Sequence, residues 1–191
     1  MRIEDVTLRA TVADHREGPR ESFPQVAFAG RSNVGKSSLL NCLFGVSLAG
    51  VSKTPGKTRT INYYLVNRRC FFVDLPGYGY ARAGREERGA WGKSITVYLE
   101  REERLRLVVG LVDPGIPTSP LDLELVRFVR EIARPILVVM TKTDRLGRGE
   151  LSRAAQRLTR DLGVAAPLAF SAHTGAGRKD VLATIASALA A

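Results

Sequence analysis

Cysteines, long apolar runs and acidic residues are scarce in this sequence of 191 residues, and each scarcity excludes or disfavours a class of protein. The two cysteines, Cys42 and Cys70, fit no metal-ligand spacing, so we expect reduced, buried thiols rather than a disulfide. No apolar run approaches the ~18–20 residues that a membrane-spanning helix needs. The first residues also lack the apolar core of a signal peptide. We therefore expect a cytoplasmic protein that does not enter a membrane.

Acidic residues are also scarce, with 19 Asp and Glu against 29 Lys and Arg, a net charge of +10 and a pI of about 10.2. None lies between Glu21 and Asp74, whereas that stretch contains seven basic residues: Arg31, Lys36, Lys53, Lys57, Arg59, Arg68 and Arg69. This excess favours a polyanionic partner such as nucleic acid, although membrane lipid and plain solubility also account for such a bias.

The chain length favours one domain with an ordinary core. Residues 1–22, of mixed charge, are predicted to be an N-terminal extension that contains a short strand and packs on a domain spanning 23–191. Apolar runs predict strands at 25–30, 61–66, 70–73, 105–112, 135–140 and 167–170, and helical spacing predicts helices at 36–44, 86–103, 120–132, 149–162 and 177–190. Alternating strands and helices predict an α/β fold.

The strongest motif follows the first of these strands and precedes the first helix. It matches G-x-x-x-x-G-K-[ST] and consists of Gly30, Arg31, Ser32, Asn33, Val34, Gly35, Lys36 and Ser37. Its glycines let successive backbone N–H groups face one anion, to which the helix N-terminus adds its positive end. Lys36 is expected to reach the β- and γ-phosphates of a nucleotide, and the Ser37 hydroxyl to ligate Mg²⁺.

A second motif, Asp74-Leu75-Pro76-Gly77, stands directly after the strand at 70–73. A carboxylate at a strand's carboxyl end can hold the water shell that Mg²⁺ usually keeps. Gly77 offers an N–H that can approach a γ-phosphate with no Cβ in the way. Such a motif is weak alone and becomes specific at this distance behind a phosphate-binding loop.

A third motif, Thr141-Lys142-Thr143-Asp144, follows the strand at 135–140. A carboxylate at Asp144 can accept the N1–H and N2–H of guanine, an arrangement that adenine does not offer, so the motif selects GTP over ATP. The stem of Lys142 can cover the base. The run Phe170-Ser171-Ala172 would supply a backbone N–H to guanine O6, and His173 beside it is interpreted as an ordinary loop histidine.

In this order the motifs resemble the TRAFAC-class GTPases and specifically the EngB-type (YihA/YsxC-like) ribosome-biogenesis GTP-binding proteins. The similarity runs from about Phe23 to the C-terminus. Its most specific marks are the runs at 30–38, 52–58, 74–80 and 141–144. The resemblance implies a three-layer P-loop NTPase fold of the small-GTPase kind. It has a mostly parallel six-stranded sheet, one antiparallel strand and helices on both faces.

The resemblance also implies residue roles that spacing leaves open. Thr54, Thr58 and Thr60 compete for the role of switch-I threonine, and the family pattern selects Thr58 as a ligand of Mg²⁺ and sensor of the γ-phosphate. The family pattern further places five consecutive residues against the nucleotide: Gly56, Lys57, Thr58, Arg59 and Thr60. One departure follows Asp113, where Pro-Gly-Ile-Pro stands in place of the basic residue that relatives usually show soon after this aspartate.

Slow intrinsic hydrolysis, raised by a partner or by a monovalent cation, is expected, with Lys36, Thr58 and Gly77 as the catalytic groups. Many GTPases orient the attacking water with a glutamine after the D-x-x-G glycine, and here that residue is Tyr78. Asn33 resembles the asparagine of potassium-stimulated relatives, although it can equally serve only to shape the loop. K⁺ is therefore a possible cofactor beside Mg²⁺.

Four functions remain open at this point. The first is a GTP-dependent switch that binds the large ribosomal subunit precursor and rRNA, with a monomer as the default state. The others are a division or septation GTPase, a small-molecule kinase, and an RNA-binding scaffold that holds nucleotide. Seven basic residues around 82–106 form either a solvated helix face or an RNA-contacting rim: Arg82, Arg85, Arg88, Lys93, Arg101, Arg104 and Arg106.

Overall fold

The computed structural model describes residues 1–50, 60–78 and 92–190. Seven strands form one sheet: β1 (Val6–Val12), β2 (Gln25–Gly30), β3 (Ile61–Val66), β4 (Cys70–Asp74), β5 (Leu105–Val112), β6 (Ile136–Met140) and β7 (Leu168–Ala169). The described helices are α1 (Lys36–Phe44), α2 (Gly92–Arg101), α3 (Pro120–Glu131), α4 (Arg148–Leu162) and α5 (Arg178–Ala190), with 3₁₀ turns at His15–Glu17 and Thr143–Arg145.

The spatial order of the strands is β1-β3-β4-β2-β5-β6-β7. β2 pairs in parallel with both β4 and β5, and the parallel pairing continues through β6 to β7. β3 is antiparallel to β1 and to β4, which makes it the single reversed strand. The predicted α/β fold with one antiparallel strand is confirmed. The sheet has seven strands rather than six because the N-terminal strand β1 extends it at the β3 edge.

Helices cover both faces of the sheet because residues of the central strand β2 alternate between them. Val26 and Phe28 pack with α1 and α5, whereas Ala27 and Ala29 pack with α2 and α3. A third cluster joins α3 and α4 to the ends of β5 and β6. All six residues of β2 are buried, as its continuous apolar run predicts for a strand covered on both faces.

The remaining sequence predictions agree with the described elements to within a few residues. Gly45 ends α1 in a left-handed conformation (φ 76°), as expected. Both cysteines are free, but only Cys70 is buried, and Cys42 is half-buried. The helix predicted over 86–103 is described only at Gly92–Arg101. No helix in the described part of the chain is long and apolar enough to cross a membrane.

Candidate nucleotide site

The candidate site lies where the parallel strands end. β2, β4, β5, β6 and β7 are mutually parallel, so their carboxyl ends meet at one edge of the sheet. The glycine-rich loop follows β2, and the other two motifs follow β4 and β6. β2 is the strand from which successive connections leave to either side, and ligands of open α/β sheets bind at such a point.

The phosphate-binding loop turns through two left-handed residues, Asn33 (φ 65°) and Gly35 (φ 103°). Gly35 is also the N-cap of α1, so the loop runs directly into the helix that starts at Lys36. This conformation turns successive N–H groups toward one side and aims the positive end of the helix dipole at the same place. The loop is therefore built to hold an anion.

Two of the motif glycines are required by close packing. A Cβ at Gly30 would lie 2.8 Å from Val34 Cγ1 and 3.1 Å from Leu111 Cβ. A Cβ at Gly77 would lie 3.1 Å from the Cα and the Oγ of Ser32. A larger residue at Gly77 would push the second motif away from the phosphate-binding loop, and one at Gly30 would displace that loop from β5.

Lys36 and Asp74 bring the first two motifs together. The Lys36 ammonium contacts the Asp74 carboxylate, and the two side chains are only 11% and 6% exposed. A buried charged group is tolerated when an opposite charge pairs with it. The pair places a cation and a carboxylate at the start of α1, beside the loop that faces an anion.

Backbone hydrogen bonds extend this junction. Leu75 N donates to Phe28 O (3.1 Å), Tyr78 N to Gly30 O (3.3 Å) and Ser32 N to Tyr78 O (2.9 Å). These bonds hold the segment from Leu75 to Tyr78 against β2 and the phosphate-binding loop. The predicted residues Pro76 and Gly77 lie within this segment.

The hydroxyl of Tyr78 contacts a helix rather than the phosphate-binding loop. It donates to Asp122 Oδ1 at 3.0 Å, and Asp122 is 5% exposed in the first turn of α3. Burial raises the pKa of Asp122, and burial followed by this carboxylate raises the pKa of Tyr78. Sequence reasoning missed Asp122 because it lies 44 residues away from its partner.

The third motif is linked to the first by hydrogen bonds to the backbone. Thr141 Oγ1 donates to Val34 O at 2.6 Å, and Val112 O lies 3.2 Å from the same hydroxyl. Lys142 Nζ donates to Asn33 O at 2.8 Å. Thr141 therefore ties the end of β6 to the phosphate-binding loop, and the base and phosphate motifs form one unit.

Asp144 is oriented by the last motif. Ser171 Oγ donates to Asp144 Oδ1 at 2.6 Å, and this hydrogen bond, with smaller contributions from His173 and Arg145, lowers the pKa of the carboxyl. Asp144 itself is exposed, whereas Phe170 and Ser171 are buried. The arrangement keeps an oriented, ionised carboxylate at the surface of the site.

A cavity of about 670 Å³ opens between α1 and these motifs. Six predicted residues line it: Gly35, Thr141, Lys142, Asp144, Phe170 and Ala172. Other lining residues were not predicted, including Ser38, Asn41, Cys42, Arg145 and His173. His173 follows Ala172 directly, and that adjacency was the signal available in the sequence.

Four predicted residues, Gly56, Lys57, Thr58 and Arg59, lie outside the described residues, as do Arg82, Arg85 and Arg88. Thr60 is described and is half-buried directly before β3. Arg104 belongs to the fold, since it pairs with Glu102 (2.7 Å) and donates to Pro19 O and Glu21 O.

The fold, the phosphate-binding loop and the guanine-type base motif together define a P-loop GTPase. In agreement, residues 25–142 match the family model of the 50S ribosome-binding GTPases. A "probable GTP-binding protein EngB" of Syntrophomonas wolfei is 44% identical over 192 residues, 99% of both chains. One of Chlorobaculum tepidum is 46% identical over 173 residues, 87% of this chain and 88% of the relative.

A solved structure also shares the fold. The crystal structure of a "probable GTP-binding protein engB" superposes with a TM-score of 0.73 at 24% identity, covering 86% of this chain and 98% of that one. The chain belongs to the EngB family of GTP-binding proteins.

Proposed function

We propose that this protein is a Mg²⁺-dependent GTP switch with slow intrinsic hydrolysis that acts, as a cytoplasmic monomer, in assembly of the large ribosomal subunit. Nucleotide binding is supported by one observation: the Lys36–Asp74 pair and the cavity lined by Asp144 lie at the same edge of the sheet. Each of the three groups has a separate task toward one ligand.

Asp144 reads the base. Its oriented carboxylate accepts the N1–H and N2–H of guanine, and the backbone beside Ser171 and Ala172 provides the N–H for O6. The stem of Lys142 and the ring of Phe170 line the cavity against the base. A polar site of this kind rejects a base with the wrong donors, because the oriented carboxylate of Asp144 then faces groups that cannot donate to it.

Lys36 and backbone N–H groups at the start of α1 hold the phosphates, whereas Ser32 N and Val34 N donate to Tyr78 O and Arg31 O. The phosphates compete with Asp74 for the Lys36 ammonium, so nucleotide binding exchanges one anionic partner of the lysine for another. The Gly77 N–H would meet the γ-phosphate, and the hydrogen bonds that tie the backbone around it to the phosphate-binding loop support this role.

Mg²⁺ fits the donor set of this corner. Asp74 provides a buried carboxylate at a strand end, and Ser37 provides a hydroxyl in the first turn of α1. Hard oxygen donors with room for phosphate oxygens and water are what Mg²⁺ prefers. Bound there with Thr58, the ion would neutralise charge on the β- and γ-phosphates. Thr58, within 56–60, would thereby make switch I sensitive to the γ-phosphate.

Slow hydrolysis follows from Tyr78, which has no carboxamide to orient a water and whose hydroxyl is turned to Asp122. Stimulation by K⁺ would compensate, with Asn33 as the protein contact. The test is the intrinsic GTPase rate in matched K⁺ and Na⁺ buffers. A faster rate in K⁺, abolished by Asn33→Ala, is expected, and equal rates in both buffers would remove K⁺ from the proposal.

The ribosomal role is supported by the net charge of +10 and by the description of the matching family as 50S ribosome-binding. The test is binding to large-subunit particles at stepped salt, with GDP or a non-hydrolysable GTP analogue. Tighter binding in the GTP-analogue state, weakening with salt and lost in Asp144→Asn, is expected. Equal, negligible binding in both states would move the division GTPase to the front.

Tyr78 favours a second candidate, an RNA-binding scaffold that holds GTP without turning it over. Single-turnover phosphate release separates the two functions. Release that is accelerated by large-subunit particles supports the switch, whereas particle-bound GTP that persists unhydrolysed supports the scaffold.

A further inference from the structure

Asp113 directly follows β5, at the edge of the sheet where the nucleotide motifs meet. Its carboxylate is 20% exposed, and both of its oxygens are used. Oδ2 accepts from Lys142 Nζ at 2.9 Å, and Oδ1 accepts from Gly115 N at 3.0 Å. The orientation of this carboxylate is therefore fixed from two sides.

The Lys142 ammonium is in turn held at two points, Asp113 Oδ2 and Asn33 O at 2.8 Å. Its backbone is left-handed (φ 55°), and its side chain lines the cavity. Two fixed contacts at the ammonium define the direction in which the aliphatic stem crosses the pocket.

The loop that carries Asp113 is itself anchored to α4. Arg157 Nη2 donates to Pro114 O and to Ile116 O, both at 3.0 Å. Further along, Thr118 Oγ1 donates to Asp161 Oδ2 at 2.8 Å. The carboxylate is thus presented by a braced segment, although the sequence there is rich in proline and glycine.

We infer that Asp113 is a positioning residue that sets the affinity for guanine nucleotides by holding Lys142 against the base. The inference rests on the base site proposed above. A lysine stem that is already fixed in the free protein loses little rotamer freedom when the base binds beneath it. The entropy loss that would otherwise oppose binding is therefore small. Because the contact is at the base end, it affects GDP and GTP equally.

A double-mutant cycle on Asp113 and Lys142 tests the inference. Asp113→Asn keeps the size and one acceptor for Gly115 N but removes the charge. We expect it to weaken GDP and a non-hydrolysable GTP analogue by the same factor, about fivefold to tenfold. Lys142→Ala should weaken both at least as much. The double variant should be no weaker than Lys142→Ala, because Asp113 acts only through that lysine.

Asp161→Asn is the matched control, since Asp161 contacts the same loop without reaching Lys142. The affinity of this variant for both nucleotides should stay within about twofold of wild type. Thermal unfolding verifies that each variant is folded. Additive losses in the cycle, or an equal loss in Asp161→Asn, would show a general effect on the loop and overturn the inference. So would an unchanged affinity in Asp113→Asn while Lys142→Ala binds weakly. If Lys142→Ala also binds normally, the proposed role of Lys142 at the base falls with it.

Discussion

The base end and the phosphate end of the site are organised differently. At the base end, Thr141, Lys142 and Asp144 each form a hydrogen bond within the protein. All three residues also line the open cavity. At the phosphate end, Lys36 and Asp74 are each other's partners. The proposed base site is thus preorganised, whereas Lys36 and Asp74 at the proposed phosphate site would have to exchange partners on nucleotide binding.

This difference suggests a division of labour. A preorganised pocket binds more tightly because few of its side chains have to be ordered when the ligand binds. The gain in affinity is equal for GDP and GTP, since both contain the same base. An exchange of ionic partners responds to the number and position of phosphates instead. Specificity for guanine should therefore depend on the base end, and discrimination between nucleotide states on the phosphate end.

The largest effect is expected from Asp144→Asn, which breaks the base end. The amide offers an N–H where guanine also offers one, so GDP affinity should fall by about 10³-fold, and xanthosine diphosphate, with an oxygen at that position, should bind better than GDP. Competition against a fluorescent nucleotide measures both. The wild-type protein is the control and should prefer GDP; an Asp144→Asn variant that retains normal GDP affinity would contradict the assignment of the base site.

A smaller loss is expected from Thr141→Val, which removes the hydroxyl that ties β6 to the phosphate-binding loop. The buried Val34 carbonyl loses this donor, so the free energy of unfolding should fall by about 1–3 kcal/mol. Chemical denaturation measures the change. Thr118→Val is the matched control, because its hydroxyl donates to an exposed partner and its removal should cost under about 0.5 kcal/mol. Equal losses in both variants would argue against a special role for Thr141.

The fold could be predicted from sequence further than the site could. β5 was predicted with its observed bounds because a continuous apolar run, ended by a polar residue, is a local signal. The strand count was one too low because β1 joins the sheet only by pairing with β3, whose paired residues lie between 49 (Val12 to Ile61) and 60 (Val6 to Val66) positions away in the chain. The Thr11–Asn62 contact, for example, spans 51 residues.

The motif residues themselves were predictable because phosphate and base chemistry constrains residue type and spacing locally. Their partners were not. Thr141 reaches Val34 across 107 positions, and Asp113 reaches Lys142 across 29. Asp113 follows a predicted strand and Asp122 lies at the start of a predicted helix, but neither position indicates which distant side chain the carboxylate contacts, so tertiary packing identifies their partners.

Cysteine labelling would sharpen the comparison at the base end. Cys42 lines the cavity, whereas Cys70 is buried in β4 with its pKa raised to about 11 by burial. Maleimide should label Cys42, and GDP should slow that reaction several-fold. Burial also raises the pKa of Cys42, so its thiolate is scarce at neutral pH and labelling should accelerate by about tenfold per unit between pH 7 and pH 8.5.

Cys70 serves as the internal control in that experiment. In the native protein it should stay unlabelled in the presence and absence of GDP, and react only after denaturation. Labelling of Cys42 at the same rate with saturating GDP would show that the nucleotide does not occupy the cavity beside α1.

The smallest functional effect is expected at the phosphate end, from Tyr78→Phe. Because the hydroxyl proton is donated to buried Asp122, we expect the hydroxyl not to orient the attacking water, and the intrinsic GTPase rate should stay within about twofold of wild type. The loss should appear in stability instead, by about 1–3 kcal/mol, because a buried carboxylate loses its donor. Asp122→Asn retains one acceptor oxygen for the tyrosine but loses the second, which accepts from Ser119 N at 3.3 Å, so its stability should also fall. A rate that falls tenfold or more in Tyr78→Phe with unchanged stability would place the hydroxyl in the chemistry. In that case the phosphate end would contain a catalytic group in place of glutamine, and the slow hydrolysis proposed for this protein would need another cause.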